Sequence, residues 1–506
     1  MRRSSGAAFA IGEACPFRRS TMNCEDLTLH TDKYQVNMMY AHWKMGTHNR
    51  KAVFEMYFRK LPFGNGFAVF AGLQRIVDYI SKLAFSEEDL DYLRAQEERY
   101  EEAFLDELRS FRFTGTLEAV PEGTLVFPGE PLIRVEARIM EAQLVETALL
   151  NAANFQTLIA TKASRVKQAA GDDTLLEFGT RRAQEMDAAV WGARAAYIAG
   201  FHATSNMRAG MMFGMPAKGT HAHAWVQAFD SELEAFMNYA KALPDGVTLL
   251  VDTYDTLKSG VPNAIRTGEE LRKEGKELQG IRLDSGDLAV LSREARRMLD
   301  EAGFPDVKIV ASNDLDEHII MNLKAQGARI DTWGVGTQLI TAADQPSLGG
   351  VYKLVAREKD GRYEPVIKIS GNLDKVSNPG VKDVYRLIDR RSGMAVADFM
   401  TLRGDTAPVE GAVLKLVDPA HPYVTAEAED YAAVPLLKAV FRDGRLTGEL
   451  PALDEIRAYH AGQLKLFRQP HLRKLHPEPY PVAFSESLWS LKTEMIQRVK
   501  PRTGGR

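Results

Sequence analysis

Two adjacent arginines, two histidines spaced two apart and a series of aspartates carry the chemistry of this chain. In LLEFGTRR (175–182) an apolar run ends in a Gly turn and then Arg181 and Arg182. Paired N–H donors at such a place can fix a carboxylate or a phosphate, and a structural salt bridge would use them equally well. GFHATSNMRAG (200–210) ends a short apolar run in Thr204, Ser205 and Asn206, small groups that can open a helix toward an anion or simply cap it. GTHAHAWV (219–226) then supplies His221 and His223. Read as alternating strand residues, the two would share one face.

An HxH pair at the end of a strand also fits a zinc site, but that site needs further histidines and an acid at later strand ends. The later clusters carry no histidine at their tips, and His318 falls beyond its strand. No metal site of protein ligands is expected, and a histidine nucleophile or acid/base group is the other use of the pair.

These residues need elements to position them. Downstream, VTLLVDTYDT (247–256), GIRLDSGDL (280–288), VKIVASNDLDE (307–317) and ARIDTWGVGT (328–337) each end an apolar run in polar side chains, with helix-like segments such as LSREARRMLDEAG between them. That is the cadence of βα units in a parallel sheet or barrel. Active sites of such folds lie at the carboxyl ends of the strands, so Asp252, Asp255, Asp284, Asp287, Asn313, Asp314, Gly336 and Thr337 are expected around one pocket.

Before the barrel, AVFEMYFRKLP (52–62) reads as a strand, SEEDLDYLRAQ (86–96) as a helix capped by Ser86, and 113–143 as β-rich between Gly/Pro turns. The Ala-rich run 141–170 reads as a long helix leading into the barrel. After Gly350 the pattern turns to hairpins around Asp360-Gly361 and Ser392-Gly393, and the chain closes on an amphipathic helix capped by Ser485. The expected organisation is a tail over 1–21, an N-terminal α/β domain over 22–150, an α/β barrel with the active site over 151–350, and a C-terminal region over 351–506 packed on both.

Composition sets the outer bounds. With 506 residues, 45% of them hydrophobic, the chain can bury two or three cores. A net charge of −4 gives no general attraction to nucleic acid. No apolar run approaches the roughly 18 residues that cross a bilayer. Only Cys15 and Cys24 are present, which excludes a disulfide framework. A cytoplasmic enzyme is expected.

Taken in order, TDKYQ (31–35), EFGTRRAQ (177–184), GFHATSN (200–206), GTHAHAWV (219–226), LLVDTYDT (249–256), IRLDSGDL (281–288), ASNDLDE (311–317), GVGTQLIT (334–341) and PSLGGVYKLV (346–355) resemble the nicotinate phosphoribosyltransferases. The resemblance runs from about residue 27 to the C-terminal helix. It implies an irregular α/β barrel with an N-terminal α/β domain and a small β-rich C-terminal region, working as a homodimer with sites at the subunit interface. The implied reaction joins nicotinate to phosphoribosyl pyrophosphate (PRPP), giving nicotinate mononucleotide and pyrophosphate, an entry to NAD salvage. ATP hydrolysis is coupled to it and Mg²⁺ accompanies the phosphates.

The same resemblance assigns roles. His223 would be the histidine phosphorylated by ATP, and Arg181 would hold the nicotinate carboxylate or a nearby phosphate. Phe178 would stack on the pyridine ring, with Tyr34 of the partner subunit on the other face and Asp32 beside it. Arg282, Asp284 and Asp255 would meet PRPP, Gly336 and Thr337 would cradle a phosphate, and Thr204 and Ser205 would face the substrate. Nicotinamide-using relatives carry an acid at the position of Ser205, so a neutral serine there favours the acid substrate. Quinolinate and nicotinamide phosphoribosyltransferases, and more distantly a metal-dependent barrel hydrolase, are the alternatives.

Overall fold

The structure, a computed structural model, describes residues 26–499 apart from 372–374, 406, 410 and 424. The expected tail over 1–21 and both cysteines lie outside the described residues.

At the centre six parallel strands form one sheet: β1 (Thr174–Glu177), β2 (Ala203–Thr204), β3 (Thr248–Leu250), β4 (Gly280–Leu283), β5 (Lys308–Ala311) and β6 (Thr332–Val335), in the order β2-β1-β6-β5-β4-β3. Ile309, Val310 and Ala311 are all buried, as are Trp333 and Val335. Burial on both faces is what unbroken apolar runs in a parallel sheet require. Helices Met186–Ile198, Val261–Lys273, Leu288–Glu301 and Glu317–Ala325 make the crossovers. Beyond β2 the ladder continues as one bridge, Thr204 to Ala217. The sheet is thus a curled half-barrel whose seam falls between residue 217 and β3.

A side chain spans that seam. The Leu250 amide of β3 donates to His221 Nε2 at 3.2 Å, where a neighbouring strand would have offered a carbonyl. His221 is 7% exposed and sits against Phe236 and Tyr239, with ring centroids 5.9 and 4.8 Å away. Burial, with the charges of Arg282 and His223 nearby, holds its pKa below the usual histidine value, which keeps Nε2 an acceptor.

Segments from both ends of the chain share an antiparallel sheet flanking the barrel: Lys51–Tyr57, Thr116–Ala119 and Ile133–Arg138 pair there with Val351–Lys359, Arg362–Pro365, Lys438–Arg442 and Arg445–Leu446. The run 141–170 is two helices, Ile139–Leu144 and Glu146–Ala170, and the second packs on both this sheet and the barrel. Ser86 caps its helix with a full capping box, and Ser485 accepts from Leu488 N–H at 3.2 Å, as their positions predict. No helix among the described residues is long and apolar enough to cross a membrane.

The helix Leu453–Lys465 is tied to the core by His460, whose Nδ1 bonds the Gly123 carbonyl at 3.0 Å and whose Nε2 lies 3.4 Å from Ser164 Oγ. Burial pushes its pKa down from 6.5 to about 4. The folded state therefore binds this proton less readily than the unfolded one, so the associated stability is intact above pH 6.5 and is lost as pH falls to about 4. That loss amounts to about 3 kcal/mol. His460→Gln should be less stable than the parent at pH 7, by about 1 kcal/mol for the altered hydrogen bonds. The difference should shrink or reverse near pH 4.5, read as urea midpoints at both pH values; a gap independent of pH would refute the assignment.

Candidate active site

The polar residues after each strand divide into two groups with different tasks. Asp255, Asp287 and Asp316 turn back and accept backbone N–H groups of the helices they precede: Lys258 N–H at 2.9 Å, Ala289 and Val290 at 3.1 and 3.0 Å, His318 and Ile319 at 2.8 and 2.7 Å. They are N-caps. The expectation that Asp255 and Asp287 face the pocket is corrected accordingly. Asp255 is exposed, and the Lys258 N–H bond is the main reason its pKa lies below the usual carboxylate value. The pocket residues come earlier, immediately after the strands: Phe178, Asp252, Asp284 and Ser312.

Arg282 on β4 gathers this group. Its Nε donates to Ser312 Oγ at 2.9 Å, Nη1 to Thr220 Oγ1 at 3.1 Å and Nη2 to Asp284 Oδ1 at 2.8 Å. Its guanidinium also lies 5.6 Å from the centre of the Phe178 ring. Burial drives the Asp284 pKa up, but the Ser312 hydroxyl and the Arg282 charge outweigh it and leave the carboxyl below its ordinary value. Asp284 is ionised at neutral pH.

Asp252 is the residue that the sequence reading left among strand-end acids without a role. Its Oδ2 accepts from Asp284 N–H at 2.8 Å and Ser285 Oγ at 2.6 Å. Its Oδ1 is buried without a hydrogen-bond partner and lies 4.0 Å from His223 Nε2. Asp284 Oδ2 is 3.8 Å from the same nitrogen, and His223 Nδ1 is 3.1 Å from Thr253 Oγ1. A buried carboxylate oxygen without a partner is costly, and this one faces the His223 ring. The signal available in sequence was the repeated D-x-x-D of DTYD and DSGD: the first acid faces the tips, the second caps.

The two histidines do not share a face. Residues 219–222 are not a strand, and His223 opens the helix His223–Gln227 with its side chain 39% exposed. His221 points the other way, into the seam. The strand periodicity failed because His223 begins a helix instead of continuing an extended run.

Phe178 packs where Gly334 of β6 leaves room; a Cβ at Gly334 would come within 2.5 Å of the ring. Arg181 and Arg182 are exposed on the turn Thr180–Arg182, and neither is ion-paired among the described residues, so the salt-bridge alternative finds no partner. Thr204 departs from expectation: it is buried and its hydroxyl donates to Glu177 at 2.6 Å. Burial raises the Glu177 pKa although Thr204 and the Gly179 N–H oppose it. Ser205, next along, is exposed. Gly336 and Thr337 follow β6 as expected and begin the short helix Thr337–Ile340.

Asp32 and Tyr34 lie elsewhere in the same chain. Asp32 precedes helix Lys33–Lys44 and accepts from Thr147 Oγ1 at 2.8 Å, and Tyr34 is 49% exposed beside Glu146. Neither bonds a strand-tip residue among the described residues. The tips themselves hold no group of three or more His, Cys, Asp or Glu side chains placed to bind a metal ion, among the described residues.

Known proteins match this arrangement over nearly its full length. Residues 29–154 match the nicotinate phosphoribosyltransferase (NAPRTase) N-terminal domain and residues 381–492 the corresponding C-terminal domain. The nicotinate phosphoribosyltransferase of Bacillus subtilis (strain 168) is 53% identical, covering 94% of this chain and 97% of its own. Nicotinate phosphoribosyltransferase 2 of Arabidopsis thaliana is 39% identical over 91% of this chain and 92% of its own. The crystal structure of human nicotinic acid phosphoribosyltransferase superposes with a TM-score of 0.83 at 31% identity, covering 92% of this chain and 99% of that one. By sequence, by domain and by fold, the chain belongs to the nicotinate phosphoribosyltransferase family.

Proposed function

We propose that the strand tips join nicotinate to PRPP, forming nicotinate mononucleotide and pyrophosphate, with ATP hydrolysis coupled through a phosphorylated His223. The observation that carries this reading is the convergence of His223, Asp252, Asp284 and Arg282 on one spot beside the Phe178 ring.

The nicotinate ring nitrogen attacks the anomeric carbon of PRPP, the bond from that carbon to pyrophosphate breaks, and the pair of electrons leaves with pyrophosphate. Positive charge builds on the ribose in between; the ionised Asp284 supplies fixed negative charge for it, and the Asp284 and Asp252 side chains offer acceptors for its hydroxyls. Phe178 offers a flat surface for the ring, and the exposed Arg181 and Arg182 provide donors for its carboxylate. A neutral Ser205 leaves that carboxylate unopposed. Asp284 is the ionised carboxylate that could help hold a magnesium ion brought with PRPP, and such an ion would offset the charge of the leaving pyrophosphate.

For the ATP half-reaction, an Nδ1–H donating to Thr253 leaves the Nε2 lone pair of His223 free to attack the terminal phosphorus of ATP. The bond to ADP breaks, and water later returns the phosphoryl group as phosphate. Asp252 and Asp284 hold the developing positive charge on the imidazole. The active unit is read as a homodimer: Tyr34 stands exposed away from the tips of its own chain, and Met186, Met207 and Met211 on the helices after β1 and β2 are 74%, 74% and 81% exposed. Apolar side chains so exposed fit a covered surface. ATP use and the phosphohistidine make the enzyme ligase-like in its energetics.

Purified protein given PRPP, Mg²⁺ and either nicotinate or nicotinamide, with and without ATP, should form nicotinate mononucleotide only, faster with ATP; the nucleotide is identified by chromatography, and nicotinamide mononucleotide as the main product would overturn the reading of Ser205. His223→Ala should lose ATP stimulation while keeping some PRPP-dependent turnover, and full retention of ATP coupling would refute the histidine's role. Asp252→Asn keeps the shape but removes the charge opposite His223. Its ATP-coupled kcat/KM should fall by about 10²-fold or more, and a fall below threefold would remove Asp252 from the machinery.

A further inference from the structure

A cavity of about 1420 Å³ opens at the end of the sheet opposite the tips. Its walls come from the C-terminal turn of helix Glu146–Ala170, from Gly200 ahead of β2, from Met321 on the helix after β5, and from residues 454–475. No strand-tip residue lines it.

Its charge is one-sided. Lys167, Arg457, Lys465, Arg468, Arg473 and Lys474 line it against a single carboxylate, Asp454, which already accepts from Tyr197 Oη at 2.7 Å. None of the six cations is ion-paired among the described residues. Those that bond do so to neutral groups: Arg457 to the Gly200 carbonyl at 3.4 Å, Arg473 to the His476 carbonyl at 2.6 Å, and Lys474 to Met321 Sδ at 3.5 Å. Cations just outside the cavity are paired, Lys324 with Asp173 at 2.8 Å and Arg165 with Glu317 at 2.7 Å. The chain as a whole is acidic, at −4, so this imbalance is local.

Six like charges around one space repel, and an anion relieves them. Burial pushes Lys474 down to about 8, with Lys162 and Arg165 adding to the effect and Glu317 opposing it. Burial lowers Lys167 as well, helped by Arg457. Between the cations lie Leu464, Phe467, Leu472, Met321 and Met394. Inorganic phosphate would leave this apolar wall bare, and an uncharged apolar molecule would leave the cations unbalanced.

We propose that this cavity is a second binding site, separate from the strand tips, for an organic phosphate: one or more phosphate groups joined to an apolar or aromatic body. Arginine and lysine meet the phosphate oxygens, and the Phe467 side takes the body. The proposal does not depend on the reaction at the tips.

Hydrogen exchange of the full chain, followed by mass spectrometry, tests it with ADP, inorganic phosphate and adenosine as separate probes. ADP should slow exchange in 453–475, inorganic phosphate should do so only at much higher concentration, and adenosine should not. Lys465→Glu with Arg468→Glu, both at exposed positions, should raise the ADP concentration needed at 453–475 at least tenfold while leaving turnover unchanged. If that pair fails to fold, Lys465→Gln with Arg468→Gln should give the same direction. Absence of protection at 453–475 under saturating ADP, or equal protection in the variants, overturns the site. Equal protection by inorganic phosphate overturns the organic body. Any ADP bound at the tips registers separately in 219–227 and 252–256, so failure here and failure of the proposed reaction give different peptides.

Discussion

The site depends on one guanidinium. Arg282 reaches from β4 to Ser312 after β5, to Thr220 in the loop that carries His223, and to its own neighbour Asp284. At 14% side-chain exposure it is largely withdrawn from water, and its charge is acceptable there only because Asp284 answers it. Removing one member of this part-buried pair leaves the other without its counter-charge. The same contacts set the distances of Asp284 and Asp252 to His223. Charge balance and catalytic geometry are therefore one problem, solved by one side chain.

The half-barrel has a seam, and His221 sits in it. A six-stranded sheet leaves the outward amides of β3 without a strand to bond, and the imidazole of His221 takes one of them. Loop 219–223 is thus held from two sides, by His221 at β3 and by Thr220 at Arg282. A loop fixed at Thr220 and His221 presents His223, two positions further on, in a defined direction while its side chain stays open to solvent. Fixed support beneath an accessible imidazole limits the orientations the ring can take.

The βα turns follow a shared economy of side chains. Each must both aim a group at the tips and satisfy the orphan N–H groups of the next helix. Two aspartates three apart do this in DTYD and DSGD, where Asp252 and Asp284 face the site and Asp255 and Asp287 cap. In DSGD the intervening Gly286, at φ +76°, makes the tight turn that lets both happen. Opposite these, Gly334 gives up its side chain so that the Phe178 ring can lie against β6.

The sequence by itself determined the parallel α/β architecture, because unbroken apolar runs alternating with amphipathic helices can be buried in few other ways. The capping serines and the strand ends were legible for the same local reason. So was the meeting of the strand ends that carry Asp252 and Asp284, since parallel βα units put their carboxyl ends on one side; Arg282 and the role of His223 came from the family resemblance. What each side chain does at its strand end was decided only by tertiary structure. Asp252 and Asp255 are the same residue type three positions apart, and only the path of the following helix says which one caps. Thr204 was expected at the surface of the site, but Glu177, its partner 27 residues earlier, becomes a neighbour only through β1–β2 pairing. His221 and His223 diverge because a loop, not a strand, joins them. Local pattern fixes which elements form, and long-range contacts fix where their polar atoms point.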